Sequence, residues 1–278
     1  YKLWADYIRR YIDEMKKRGV NIWAITVQNE TRHHQLWESC VFTAEQEADF
    51  VKNALGPKLD GTDTKIFVYD HCKERIFERC LKYYKLRDYI SGIACHWYSG
   101  DHFGGIALCK KVFPDKSVIM SEGCTFSGEK GMYKSDARQQ SRKYAHDIIG
   151  DLNAGLTAFI DWNITLDEKN GPYHWRGGRS YCDSGIFCDT ENNELVFTPN
   201  YYVIGQFNKF IRPGAVRIGL SSYTAVLETT AFMNTDGSIA VVIYNSGNTE
   251  IKYILRIGGI LLERTALPYS VETVIFKS

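Results

Sequence analysis

Residues 20–30 read Val-Asn-Ile-Trp-Ala-Ile-Thr-Val-Gln-Asn-Glu, an apolar, β-rich run that ends on three polar side chains. Continuous apolar runs of this kind are typical of strands that are covered on both faces in a parallel sheet. Before this run, apolar side chains recur every three or four positions among charges: Leu3, Trp4, Tyr7, Ile8, Tyr11, Ile12 and Met15. This pattern predicts an amphipathic helix that ends at Gly19 and leads into the strand.

The alternation of helix and strand continues downstream. Thr43 and Gln46 have the spacing of a capping box and predict a second helix, which we expect to stop at Gly56-Pro57. Helical patterns then separate four further strand candidates: Lys65 to Tyr69, Gly92 to Trp97, Ser117 to Ser121, and Leu156 to Asp161. Strands that alternate with helices of this length predict parallel βαβ units, so the fold class is α/β.

The last third of the chain has a different pattern. A polar, Gly-rich segment runs from Asp161 to Pro199 and predicts a functional loop, because ordinary connections are shorter. A helix near 200–210 follows. Beyond Pro213 short strands alternate with turns, and Asp236-Gly237 before Ile239 is a hairpin signal. We therefore expect a small, all-β C-terminal domain.

Composition limits the classes of partner. The 278 residues are 44% hydrophobic and 24% charged, with a formal net charge of +1. This balance is typical of a globular protein and offers no basic field for nucleic acid, so we expect none as a partner. No apolar run approaches the roughly 18 residues that cross a bilayer, so we expect no stable membrane insertion. Localisation and oligomeric state have no signal in the sequence.

The soft ligands do not form a metal-binding pattern. The chain has eight cysteines without a Cys-x-x-Cys pair: Cys40, Cys72, Cys80, Cys95, Cys109, Cys124, Cys182 and Cys188. We expect buried or free thiols, with a local Cys182–Cys188 disulfide as the alternative. His33-His34 and His71-Cys72 lack the i, i+4 spacing that places two ligands on one helix face, so no metal site is predicted.

Two glutamates follow strand candidates, namely Glu30 after the first and Glu122 after the fourth. Because the carboxyl ends of parallel strands meet at one edge of the sheet, both carboxyl groups are expected to share that edge. Hydrolysis of a glycosidic bond needs one carboxyl group to protonate the leaving oxygen and a second to attack or to activate water. The alternative for each glutamate alone is a surface or salt-bridged residue.

The neighbours at the same edge are polar and aromatic: Asn29, His96, Trp97, Tyr98, Asp161, Trp162 and Asn163. Such side chains suit a sugar pocket, in which rings stack on the pyranose and amides bind its hydroxyls. Trp97 either packs beneath the rim or contacts the sugar, and His96 and Tyr98 could instead be satisfied core residues. Asp161 is expected to be a structural hydrogen-bonding group, and Trp162 is expected to face the cleft.

At these residues the chain resembles glycoside hydrolase family 30, which includes glucosylceramidase-like enzymes and β-1,6-glucanases. The matching segments span nearly the whole chain: Thr26-Val27-Gln28-Asn29-Glu30, Trp37-Glu38-Ser39-Cys40, Leu55-Gly56-Pro57, His96-Trp97-Tyr98, Ser121-Glu122-Gly123-Cys124, Asp161-Trp162-Asn163 and Phe207-Asn208-Lys209-Phe210-Ile211-Arg212-Pro213-Gly214. The resemblance implies a partial (β/α)8 barrel with strands four to eight over residues 1–212, and a β-sandwich-type domain over 213–278. The first three strands and their sugar-binding residues are then expected to be absent.

The resemblance also implies roles. Glu30 matches the acid/base and Glu122 the nucleophile of a retaining β-glycosidase. Asn29, His96, Tyr98 and Trp162 match substrate-binding residues, with Asn163 nearby. The expected mechanism is double displacement without a cofactor or metal, with a raised pKa on Glu30 and an ionised Glu122.

The resemblance leaves substrate choice open. The expected substrate is a β-glucoside, either a glycolipid such as glucosylceramide or a β-1,6-glucan, and xylan-directed relatives exist. His33, His34 and Trp37 are expected beside the aglycone site, and Thr31 stands where the family usually has proline. The alternatives from other classes are a truncated, non-catalytic carbohydrate-binding protein and a doubly wound hydrolase. The latter lacks a Gly-rich phosphate turn or a G-x-S-x-G elbow.

Overall fold

The computed structural model describes residues 1–35, 37–126, 137–172 and 181–277. They form two compact units. The first comprises Tyr1–Gly123 and Ala154–Asp161, and the second comprises Cys124–Asn153 and Trp162–Ser278. These units do not follow the predicted domain boundary at 212/213, which stays a prediction.

The first unit is built on a parallel sheet in the order β1-β2-β3-β4-β5. Its strands are β1 Ala24–Thr26, β2 Lys65–Cys72, β3 Gly92–His96, β4 Ser117–Glu122 and β5 Ala158–Phe159. The helices of this unit are α1 Lys2–Lys17, which precedes β1, and α2 Ala44–Phe50, α3 Gly56–Leu59, α4 Ile76–Lys82 and α5 Phe103–Val112, which lie between the strands. A parallel sheet with intervening helices was predicted, and the structure confirms it.

The strands of this sheet are apolar throughout because both of its faces are buried. Each strand contributes one side chain to a cluster of Ala24, Phe67, Ala94, Ile119 and Ala158. The residues between them point to the opposite face and are also buried, as Ile93 and Met120 are. Burial on both faces is the reason that the central strands show no alternation of polar and apolar residues.

The strand bounds correct two predictions. The first strand was predicted over 20–27, but pairing with β2 begins only at Ala24, opposite Lys65. Trp23 just before it is 55% exposed. The fifth strand was predicted over 156–161, but only Ala158 and Phe159 pair with β4. Apolar composition extends beyond the paired residues in both cases, so it overestimates the length of the ladder.

The second helix does not stop at Gly56-Pro57 as predicted. It has the predicted capping box at Thr43 and Gln46 and then continues through a π-helical turn, Val51–Leu55, into α3. Pro57 lies in the first turn of α3, where a missing backbone N–H costs little. Two 3₁₀ turns, Lys73–Arg75 and Tyr84–Leu86, flank α4.

The second unit contains two helices, α6 Ala137–Ala154 and α7 Pro199–Asn208. The long polar segment that was predicted as a loop holds a three-stranded sheet. Its strands are β6 Thr165–Asp167, β7 Ile186–Asp189 and β8 Glu194–Phe197. Residues 173–180 of that segment lie outside the described residues, so its functional role stays a prediction.

The C-terminal part of the second unit is all β, as predicted. One antiparallel sheet has the order β14-β11-β10-β9 and a second consists of β12 and β13. The strands are β9 Val216–Ile218, β10 Leu227–Met233, β11 Ile239–Asn245, β12 Ile251–Ile257, β13 Ile260–Ala266 and β14 Val271–Phe276. The Asp236-Gly237 hairpin joins β10 to β11, with Gly237 at a φ of +82°.

None of the eight cysteines, all of which lie among the described residues, forms a disulfide bond, and five of them are buried. The alternative of a Cys182–Cys188 disulfide is therefore wrong for this structure. The Cys188 thiol instead lies 3.3 Å from the Thr165 hydroxyl, across the β6–β7 pairing.

Candidate active site

Glu30 lies at the carboxyl edge of the sheet, but not at a strand end as predicted. Strand β1 ends at Thr26, and Glu30 follows in a turn with a φ of +48°. Its backbone N–H donates to the Asp70 carbonyl at 2.8 Å, which ties this turn to β2. Thr31, in the position of the family proline, is buried and donates its hydroxyl hydrogen to the Tyr69 carbonyl at 3.2 Å. Hydrogen bonds thus hold this turn, whereas a proline would restrict it through its ring.

Glu122 is the last residue of β4, as predicted. Its Oε1 accepts a hydrogen bond from the Tyr98 hydroxyl at 3.1 Å. The side chains of Glu122 and Glu30 are 20% and 14% exposed, so both carboxyl groups remain reachable from outside. A ligand can therefore contact both without unfolding the edge of the sheet.

His96 lies between the two carboxyl groups. Its Nδ1 is 3.5 Å from Glu30 Oε1 and 3.9 Å from Glu122 Oε1. Its Nε2 is 3.1 Å from Asp70 Oδ1. Oxygen atoms of Glu30 and Glu122 and a ring nitrogen of His96 all lie within 4.8 Å of one another. The structure therefore brings together the two glutamates that the sequence placed at one edge.

The cavity beside these groups has a volume of about 250 Å³. Its polar lining comes from strand ends: Thr26, Asn29, Asp70, His96, Ser121 and Glu122. Asn29 is exposed, and Tyr98 is half-buried with its ring 6.1 Å from that of His96, edge to face. The predicted substrate-binding residues Asn29, His96 and Tyr98 thus lie around the two carboxyl groups.

Trp97 does not belong to the cavity surface. The side chain is fully buried and its ring packs edge to face on Phe159, with centroids 5.7 Å apart. A Cβ at Gly123 would lie 3.1 Å from the Trp97 indole, so the glycine admits the ring. Of the two alternatives for Trp97, packing beneath the rim is the one the structure shows.

Trp162 and Asn163 belong to the second compact unit. Trp162 is 43% exposed, and the Asn163 side chain donates a hydrogen bond to the Asp183 carbonyl at 3.3 Å. Their roles in substrate binding stay predictions. In the first unit, His33 is exposed and its Nδ1 lies 3.8 Å from Glu30 Oε2. The aglycone roles of His33, His34 and Trp37 stay predictions.

The charges of the site differ from the expectation. Contact with charged His96 lowers the pKa of Glu30 and outweighs its burial. Burial raises the pKa of Glu122, against the opposing effects of His96 and Tyr98. The prediction of a raised pKa on Glu30 is therefore wrong for this structure, because His96 lies nearer to Glu30 than to Glu122.

Glu30, His96 and Glu122 also offer three ligand atoms close enough to hold a metal ion. Metal binding requires a neutral imidazole. Burial would lower the pKa of His96, but Asp70 and Glu30 outweigh it and raise the pKa to about 10. A proton on the ring therefore competes with any metal at this position.

Sequence reasoning missed three side chains of the site. Asp70, Ser121 and Gln35 each contact a catalytic candidate or its partner, and the Gln35 amide donates a hydrogen bond to Glu30 Oε2. Asp70 directly follows the predicted strand 65–69, so the rule that singled out Glu30 also applied to it. Gln35 carried no such signal, because it lies in a loop.

A parallel sheet with two close carboxyl groups at its carboxyl edge is typical of a barrel-type glycoside hydrolase. The sequence matches the glycosyl hydrolase family 30 TIM-barrel domain over residues 1–211 and the glycosyl hydrolase family 30 beta sandwich domain over residues 214–274. The chain belongs to glycosyl hydrolase family 30.

Three relatives illustrate the range of this similarity. The chain is 29% identical to the lysosomal acid glucosylceramidase of Mus musculus, with all of this chain and 56% of the relative covered. The crystal structure of SrfJ from Salmonella typhimurium superimposes with a TM-score of 0.94 at 33% identity, covering 100% of this chain and 62% of that one. The structure of the endo-beta1,6-glucanase BT3312 superimposes with a TM-score of 0.89 at 26% identity, covering 100% of this chain and 64% of that one.

The chain thus spans a little over half the length of the curated relative. Among the described residues, none of the helices combines the length and apolar character needed to cross a membrane.

Proposed function

We propose that this protein is a retaining β-glycosidase in which Glu30 is the acid/base and Glu122 is the nucleophile. The observation that carries the proposal is the short separation of the two carboxyl groups, whose nearest oxygens lie within 4.8 Å. Retaining enzymes hold the two groups about 5 to 5.5 Å apart, whereas inverting enzymes leave about 6.5 to 9.5 Å for a water molecule. The short separation of the two carboxyl groups favours direct attack on the sugar by a carboxylate.

In the first step Glu122 attacks the anomeric carbon while Glu30 donates its proton to the departing glycosidic oxygen. The carbon–oxygen bond to the aglycone breaks, and an ester bond to Glu122 forms. The Tyr98 hydroxyl stabilises the ionised form of Glu122 by the hydrogen bond to its Oε1. Tyr98 therefore favours the protonation state that attack requires.

In the second step Glu30 removes a proton from water, and the water oxygen attacks the anomeric carbon. The ester bond to Glu122 breaks and the sugar leaves with its original configuration. His96 beside Glu30 favours the ionised form of this carboxyl group, which is the form that a base needs.

The same histidine opposes the first step, in which Glu30 must hold a proton. Two carboxyl groups this close titrate as a pair, so the position of the proton depends on what lies between them. A bound sugar excludes water from Glu30 and accepts a hydrogen bond from it, and both effects favour its protonated form. The proposal therefore requires that substrate binding shift the proton from the Glu122 side to the Glu30 side.

The proposed substrate is a β-glucoside, with glucosylceramide favoured and a β-1,6-glucan or a xylan as the alternatives. The support is the similarity to a glucosylceramidase at 29% identity and to an endo-1,6-glucanase structure at 26%. The proposed sugar-binding residues are Asn29, His96 and Tyr98 near the two carboxyl groups, together with Trp162 and Asn163. No cofactor is part of the proposed reaction.

Azide rescue tests both roles in one experiment with an aryl β-glucoside that has an activated leaving group. In Glu122→Gly, azide is expected to enter the space of the nucleophile and to yield the α-glucosyl azide. In Glu30→Ala, azide is expected to attack the glycosyl-enzyme and to yield the β-glucosyl azide. The opposite stereochemistry would exchange the roles, and no turnover by the unmodified protein would favour a non-catalytic carbohydrate-binding function.

A further inference from the structure

Two irregularities in the sheet lie side by side at the active-site edge. Tyr69 pairs with Ala94 and His71 with Cys95, so Asp70 is an extra residue in β2. Bulges turn a side chain away from its regular direction and are frequent beside active sites. A second shift leaves Ser121 unpaired in β4, between the partners of Cys95 and His96.

The two bulged residues contact each other. Ser121 donates its hydroxyl hydrogen to Asp70 Oδ1 at 2.6 Å, and Thr26 donates to Asp70 Oδ2 at 2.5 Å. His96 Nε2 lies 3.1 Å from Asp70 Oδ1. The Asp70 carboxyl group therefore joins β1, β3 and β4 from its position on β2, and its side chain is only 7% exposed.

The backbone of Asp70 adds a direct connection to Glu30. Its carbonyl accepts the Glu30 backbone N–H at 2.8 Å, and its φ of +45° lies in the left-handed region. Aspartate and asparagine tolerate this conformation better than most residues. One residue thus orients His96 through its side chain and the turn of Glu30 through its backbone.

The contact with Asp70 determines which ring nitrogens of His96 carry hydrogen. A carboxylate only accepts, so Nε2 must donate to Asp70. A neutral ring would then direct the lone pair of Nδ1 at Glu30 and Glu122, which are 3.5 and 3.9 Å away. That arrangement is repulsive, whereas a ring with hydrogen on both nitrogens attracts all three carboxyl groups.

We propose that Asp70 is a positioning residue that holds the His96 ring between Glu30 and Glu122 with hydrogen on both nitrogens. This role rests on the proposed function for its catalytic consequence, but the charge of the ring is a property of the free protein. Asp70 lines the cavity, but the role proposed here is exerted through His96. By keeping the His96 ring positively charged, Asp70 lets the two carboxyl groups lie close together.

The test is the titration of His96 by long-range ¹H–¹⁵N correlation, with His96→Gln to assign its ring among the seven histidines. In the unmodified protein we expect both ring nitrogens to stay protonated through pH 8. Asp70→Asn keeps the shape and the left-handed backbone but removes the charge, and we expect the midpoint to fall by at least about two pH units. Ser121→Ala removes a hydrogen bond from the same carboxyl group and is expected to leave the midpoint near that of the unmodified protein.

A purely structural role of Asp70 would give a different result. Asp70→Asn and Ser121→Ala would then both lower stability, and the midpoint of the His96 titration would be the same in the two variants. Ring titration near pH 6.5 in the unmodified protein, or an unmoved midpoint in Asp70→Asn, would overturn the proposal. Asp70→Ser is also uncharged and is expected to give the same titration as Asp70→Asn. It is the variant to measure if Asp70→Asn does not fold.

Activity is the second readout. We expect kcat for an aryl β-glucoside to fall at least about 100-fold in Asp70→Asn, because misplaced catalytic groups lose that much. Absence of hydrolysis in every variant, including the unmodified protein, would refute the proposed function while the ring titration still decides the role of Asp70.

Discussion

Replacing Tyr98 with phenylalanine removes one hydroxyl group from the site and nothing else. That hydroxyl donates to Glu122 Oε1 at 3.1 Å, and it opposes the rise in pKa that burial causes. A hydrogen bond to a charged group contributes about 1.5 to 3 kcal/mol, and about 1.4 kcal/mol corresponds to one pKa unit. Because the Glu122 side chain is 20% exposed, we take the lower value and expect its pKa to rise by about one unit.

The direction follows from the order of the two pKa values. The kcat/KM profile reports the free protein, in which Glu30 has the lower and Glu122 the higher pKa of the pair, so Glu30 sets the acid limb and Glu122 the alkaline limb. The loss of a donor to the ionised form raises the pKa of Glu122, and the alkaline limb is expected to move up by about one pH unit in Tyr98→Phe. Steady-state rates with an aryl β-glucoside from pH 3 to 9 measure this.

Tyr84→Phe is the matched control, because Tyr84 is 51% exposed and contacts Phe113 and Arg87 instead of a site residue. Its profile is expected to coincide with that of the unmodified protein. An alkaline limb that stays in place in Tyr98→Phe, or that moves down, would refute the account in which this hydroxyl lowers the pKa of Glu122.

Three further changes test other parts of the structure. Gln35→Leu removes the amide donor to Glu30, so the pKa of Glu30 should rise and the acid limb of kcat/KM should move up. Gly92→Ala places a Cβ 2.2 Å from the Ser117 carbonyl oxygen, and we expect a loss of at least about 2 kcal/mol in the free energy of unfolding by urea denaturation. Glu47 is buried, which raises its pKa to about 7, so stability should fall by about 3 kcal/mol as pH rises from about 4.5 to 7, and Glu47→Gln should abolish that slope.

Each change has a control with the same type of substitution. Gln28→Leu removes an amide that donates to the Asn29 backbone carbonyl and not to Glu30, so its acid limb should stay in place. Gly104 has open space around it within α5, and Gly104→Ala should stabilise the protein by about 0.5 to 1 kcal/mol. Glu45→Gln lies on α2 in solvent and should keep the slope with pH. Equal behaviour of any variant and its control would contradict the corresponding argument.

The sheet could be predicted from the sequence because its strands are buried on both faces. Residues 92–97 and 117–121 are short apolar runs between helical patterns, and the structure places strands there. The ends of the ladder could not be predicted, because an edge strand such as 24–26 pairs only where its neighbour begins. The end of the second helix was predicted wrongly at Pro57, because proline occurs both after helices and in their first turn.

The meeting of Glu30 and Glu122 at one edge could also be predicted, since it follows from the direction of parallel strands. The hydrogen bonds among Asp70, Ser121 and His96 beneath them could not be predicted. Asp70 and Ser121 reach each other because both strands bulge, and a bulge has no reliable signature in a single sequence. The charge on His96 depends on three carboxyl groups that are far apart in the sequence, so the order of the two glutamate pKa values was predicted wrongly.

The most direct test of the proposed mechanism is to trap its covalent intermediate. A 2-fluoro-β-glucoside with an activated leaving group slows both steps and leaves the sugar on the nucleophile, and peptide mass mapping then locates it. We expect the label on Glu122, and loss of label in Glu122→Gln but not in Tyr84→Phe. A label on Glu30 or elsewhere, or a hydrolysis product of inverted configuration, would contradict double displacement through Glu122.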